Sequence, residues 1–182
     1  QARKYLRSGA AVSEYLGDQL MLPLALGAGG SYTVDHLSTH ARSNAEVMSD
    51  FYDFIAGRNL VAHNASFDER FLRAEFRRIK KQCSSGIVCS LLAARRIFQN
   101  APNHQLATLA LYKNLPSDGV YHRALADAEV TAYLWLSLLT ELREQQDLAE
   151  LSFGFMHSLT KTPKHQLRQF YTKHKLKSPV MQ

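Results

Sequence analysis

The sequence predicts an α/β domain on three observations. Leu60-Val61-Ala62 is a short apolar run that leads directly into a helix-opening phrase, Ser66-Phe67-Asp68-Glu69. A second strand-like stretch, Ile87 to Ser90, is again followed by helical periodicity, from Leu91 to Phe98. Further helical stretches follow, and strands interleaved with helices belong to α/β architectures.

From the front, Val12, Leu16, Leu20 and Leu24 repeat every four residues and predict a helix over about Ser13 to Ala25, which Pro23 ends or kinks. Gly27, Gly29 and Gly30 make a turn, and Ser31 to Leu37 alternates as a strand does. A helix over Ala45 to Ala56 follows, with Val47, Met48, Phe51, Phe54 and Ile55 on one side and Gly57 as its C-terminal cap. Arg58 to His63 reads as a buried strand. Ser66 and Glu69 have the spacing of a capping box. They open a helix with an apolar stripe (Phe71, Leu72, Phe76, Ile79) and a face rich in Arg and Lys between Arg70 and Lys81. Beyond the strand at Ile87 to Ser90, helices are expected at Leu91 to Phe98, Leu106 to Lys113 and Ala124 to Arg143. Residues 146–182 are expected to form a basic helical tail, with Thr160 to Lys177 a solvated end.

The 182 residues are 46% hydrophobic and 21% charged, enough for one globular domain with a small appendage. Lys and Arg number 22 against 16 Asp and Glu, a net charge of +6 that suits a polyanionic partner but is shared by many plain enzymes. Cys83 and Cys89 have neither a metal-ligand spacing nor the number for a disulfide framework, so a reduced, cytoplasmic setting is expected. No apolar run approaches the roughly 18 residues of a membrane span, and no membrane partner is expected. The chain does not start with Met, and a truncated front is expected.

Two acidic residues stand out. Asp68 falls one turn inside a helix that follows a strand, where the helix dipole keeps a carboxylate ionised at the strand's C-terminal edge. Acidic residues are common near helix starts, so Asp68 alone is equally an ordinary first-turn residue. In Tyr121-His122-Arg123-Ala124-Leu125-Ala126-Asp127-Ala128, an imidazole sits at the mouth of a helix and Asp127 lies among small residues that let a metal approach. A lone His there is more often a cap or surface residue.

Together, Ala62-His63-Asn64-Ala65-Ser66-Phe67-Asp68 and His122-Arg123-Ala124-Leu125-Ala126-Asp127-Ala128 resemble the second and third motifs of the DEDDh-type 3′→5′ exonuclease family, which includes the proofreading subunit of bacterial DNA polymerase III. Asn103-His104-Gln105-Leu106-Ala107 resembles the short helix between them. The resemblance covers roughly Ala45 to Leu142. It implies an RNase H-like fold and a site for two divalent ions, Mg²⁺ or Mn²⁺, held by four acidic residues. It implies Asp68 and Asp127 as metal ligands, His122 as general base, and His63, Asn64 and Phe67 lining the cleft for a single-stranded DNA or RNA 3′ end.

That family's first motif, D-x-E, should supply the other two ligands. Its nearest imitation here is Asp35-His36-Leu37, where Leu37 stands in place of the Glu, so the metal site is expected to be incomplete. Residues 8–44 instead resemble the C-terminal end of RNA 3′-terminal phosphate cyclases. Tyr15-Leu16-Gly17-Asp18-Gln19 lies where that family has an ATP-contacting phrase, and His40 in His40-Ala41-Arg42-Ser43-Asn44 where it has an adenylylated histidine. The expected division is a cyclase-tail-like segment 1–44, an exonuclease-like domain 45–145 truncated at its N-terminal strands, and the tail 146–182. The expected function is binding or 3′→5′ hydrolysis at nucleic-acid 3′ ends, with impaired catalysis. The alternatives are a non-catalytic nucleic-acid or partner-binding remnant and, least favoured, a cyclase fragment. A small sheet with an exposed edge also favours self-association.

Overall fold

The computed structural model describes residues 10–11, 33, 39–117, 124–148 and 150–175. The expected helix Ser13 to Ala25 lies outside the described residues, as does the strand Ser31 to Leu37 apart from Thr33. The chain divides into two compact units, one of residues 1–58 and 67–85, the other of residues 59–66 and 86–182.

In the first unit, helix α1 spans Thr39–Ile55. It starts upstream of the expected Ala45 and runs straight through the position expected to join two segments. Its inward face also differs from expectation. Ile55 is buried and Met48 and Tyr52 are half-buried, an i, i+4, i+7 stripe, whereas Val47 and Phe54 are 62% and 73% exposed. The five apolar residues span about 120° of the helix, an ordinary face. The buried face is rotated toward Tyr52, whose ring packs edge-on against Phe76 and leaves Val47 and Phe54 on the outer side. Gly57 has φ +73°, the left-handed turn expected of a residue following a helix.

Helix α2 spans Ser66–Arg78, all but its first residue in this unit. The capping box does not form, because Ser66 is already helical and Arg73 takes the Glu69 carboxylate at 2.8 Å. Phe76 is fully buried, with Tyr52 edge-on at 5.1 Å and Phe51 stacked at 6.3 Å. Glu75 is buried beside it and accepts two hydrogen bonds from Arg78, at 2.9 and 3.1 Å. On the basic face, Arg73 and Arg78 are thus ion-paired and Lys81 lies over the Tyr52 ring.

In the second unit, strands β1 (Leu60–Ala62) and β2 (Ile87–Cys89) pair in parallel, in register Leu60↔Ile87, Val61↔Val88 and Ala62↔Cys89. Strand–helix–strand order with parallel pairing is the α/β unit expected. β1, however, is half-buried rather than buried; Val88 on β2 is the residue sealed from solvent. Helix α3 (Ser90–Ile97) follows β2 without a loop, then α4 (Leu106–Tyr112) and the long α5 (Ala124–Gln146). α5 packs on α3, α4 and β1 through Leu134, Leu138 and Leu142.

The tail is not a solvated end. Helix α6 (Phe153–Lys161) packs on α3 and β2, and a 3₁₀ turn, Lys164–Gln166, leads into α7 (Leu167–Lys175). Phe155, Met156, Leu159, Leu167 and Tyr171 belong to the same buried cluster as Val88 and Leu134. Their spacing is helical, and the density of Lys, Arg and His around them hid it.

Candidate functional site

The turn after β1 is built on His63. Its Nε2 lies 3.0 Å from the His104 carbonyl, which can only accept, so Nε2 carries the proton and Nδ1 does not. Nδ1 therefore accepts from the Ser90 hydroxyl at 2.9 Å, which leaves the longer 3.3 Å approach of that hydroxyl to the Ala62 carbonyl as a secondary contact. Burial is the main cause holding the His63 pKa below its ordinary 6.5; the His104 carbonyl opposes the shift, and the His104 ring adds to it. Both ring nitrogens of His63 are thus committed within the protein, where the sequence suggested a cleft-lining group. The sequence marks neither Ser90 nor His104 as a partner of His63: Ser90 has only its place at the end of the second strand, and His104 only its place in the phrase from Asn103 to Ala107.

Asn64 is exposed and sits at φ +65°, a left-handed conformation Asn tolerates better than most residues. Phe67, half-exposed at 50%, and Asp68, exposed, lie on the first turn of α2 in the first unit. Asp127 lies on the first turn of α5 in the second unit, half-buried, between Ala126 and the exposed Ala128. Each aspartate thus lies on the first turn of its helix. His122, Asp35 and Asp18 lie outside the described residues, and His40 lies in the first turn of α1. Among the described residues no three His, Cys, Asp or Glu side chains come together as a metal-binding group. No described helix is long and apolar enough to cross a membrane.

Parallel strands joined through a helix, each followed by a helix, define an α/β domain. The sequence model of the exonuclease family matches residues 35–135, more than half of the chain, and the chain belongs to that family. The match begins ten residues upstream of the expected boundary at Ala45 and includes both motifs. DNA polymerase III subunit epsilon of Escherichia coli (strain K12) is 34% identical over 126 residues, 66% of this chain and 51% of that protein. The PolC-type DNA polymerase III of Oceanobacillus iheyensis is 37% identical over 113 residues, 62% of this chain but 8% of that protein. An RNA 3′-terminal phosphate cyclase of Ectopseudomonas mendocina is 47% identical over 77 residues, 42% of this chain and 21% of that protein. That alignment is longer than the 44-residue front segment, so it is not confined to it. The chain spans about half or less of each of these curated relatives. The solved structure of Exonuclease X in complex with 5′ overhanging duplex DNA aligns with a TM-score of 0.46 and 22% identity, over 68% of this chain and 74% of that one.

Proposed function

We propose that this chain binds nucleic-acid 3′ ends as a proofreading-type exonuclease domain and hydrolyses them weakly. The observation that carries the reading is the pair of family motifs within the matched region, each with an aspartate on the first turn of a helix. The roles proposed are Asp68 and Asp127 as carboxylates for Mg²⁺ or Mn²⁺, His122 as the base, and Asn64 and Phe67 as contacts to the terminal nucleotides. His63 acts behind them, holding the turn through Ser90 and His104 rather than touching the strand.

Carboxylate oxygens are the right donor type for these hard cations. Two-metal hydrolysis needs several carboxylates, and among the described residues no three His, Cys, Asp or Glu form a group that could hold a metal ion. The cytoplasmic setting and self-association through a sheet edge belong to the same proposal, the former supported by two free thiols, Cys83 and Cys89.

The test is digestion of a 5′-labelled single strand with Mg²⁺ or Mn²⁺, beside binding of the same strand with its 3′ end free or blocked. Slow trimming from the 3′ end, lost in Asp127→Asn, together with tighter binding of the free end, supports the reading. Indifference to the 3′ end in both assays refutes it and favours the partner-binding alternative.

A further inference from the structure

Charge is segregated along the second unit. From Ala124 to Glu150 there are six carboxylates against one cation, Arg143; from Leu151 to Lys175 there are five Lys and Arg and no carboxylate. The positive stretch is also ordered. On α7, Leu167 and Tyr171 are buried and Phe170 and His174 half-buried. His174 is fixed there by its Nδ1–H, which donates to the Phe170 carbonyl at 2.8 Å, and by its ring 4.3 Å from that of Phe170 and 4.9 Å from that of Phe155. With that face spent on packing, Arg168, Lys173 and Lys175 are left outward, and Lys164 is exposed on the 3₁₀ turn that leads into the helix. None of the four forms an ion pair among the described residues, although cations elsewhere in the chain (Arg73, Arg78, Lys113) do.

We propose that the 3₁₀ turn Lys164–Gln166 and the outer face of α7 bind the phosphate backbone of a nucleic-acid strand, without regard to sequence or to strand ends. The chemistry required is a set of unpaired, solvated cations on a rigid element, which gains by releasing counterions from a polyanion. A helix whose other face is anchored in the core presents them at little further ordering cost. The surface does not rest on the 3′-end reading, because a phosphate backbone is the same everywhere along a strand.

The experiment measures binding of the full chain to a circular single-stranded DNA, which has no 3′ end, between 50 and 200 mM salt. The variant Lys164→Gln/Arg168→Gln/Lys173→Gln/Lys175→Gln should bind more weakly. Its slope of log K against log salt should be shallower by about 0.7 per cation removed, close to 3 in all. The charge-preserving variant Lys164→Arg/Arg168→Lys/Lys173→Arg/Lys175→Arg should bind as the parent does. An unchanged slope in the Gln variant overturns the proposal. So does a Gln variant that loses only self-association, or only binding to phosphatidylserine vesicles. Failure of the 3′-end reading looks different: circular and linear strands then bind equally while the four cations still set the slope.

Discussion

The His63 imidazole and the Ser90 hydroxyl lie 2.9 Å apart, joining the end of β1 to the first residue of α3. Ser90 is fully buried, and the proton assignment forced by the His104 carbonyl makes Ser90 the donor. The turn that leads into the motif containing Asp68 is therefore held by a neutral histidine.

Stability should consequently rise with pH just above the folded-state pKa of His63. Because burial lowers that pKa in the folded protein, the unfolded chain takes up the proton first as pH falls below 6.5. Stability present above 6.5 is lost as pH falls through the lowered value. Urea unfolding at pH 7.5, 6.5 and 5.5 should show this loss, reduced in His63→Gln. A parent and variant with equal pH dependence would exclude His63 as the group.

Ser90→Ala should cost about 1–3 kcal/mol, since the part-buried Nδ1 loses its donor. Chemical denaturation measures it directly. A cost near zero would mean that the His63 ring turns to find another partner.

Leu159→Ala should destabilise by about 2–5 kcal/mol, because Leu159 is 0% exposed within the central cluster. Removing residues 150–182 should abolish cooperative unfolding of the second unit by the same logic. A truncated chain that still melts cooperatively would show that the tail contributes little.

Gly86→Ala should cost about 1–3 kcal/mol through overpacking. A Cβ there would come within 2.6 Å of the Phe153 ring and 2.9 Å of the Asn59 side chain, while the Gly86 carbonyl is held by the Leu60 amide at 2.8 Å. The Phe153→Leu background should return part of the loss. If both backgrounds lose equally, the ring is not the obstacle.

Much of this was legible in the sequence. The α/β order, both strands and the helices at Leu91, Leu106 and Ala124 followed from period and apolar content, and the two motifs led to the exonuclease family. What escaped notice has physical causes. The Ser66–Glu69 spacing promised a reciprocal cap, but Arg73 is one turn beyond Glu69 and competes for it. Phe54 looked like core and is exposed, because a helix face is chosen by what packs on it. The role of Ser90 depends on pairing β1 with β2, which no local pattern records. Leu167 and Tyr171 were overlooked because the cations beside them dominated the composition.

Helix α1 has a consequence for where this chain can be cut. Helix formation is cooperative: each turn is held by the one before it, and a helix shortened at its start loses part of the register on which the rest depends. Thr39–Ile55 is one such run, and residue 44, the expected end of the front segment, lies inside it. The boundary expected from the sequence is thus not a break in the backbone. A protease or a cloning boundary set at Ala45 would therefore sever a folding unit rather than separate two.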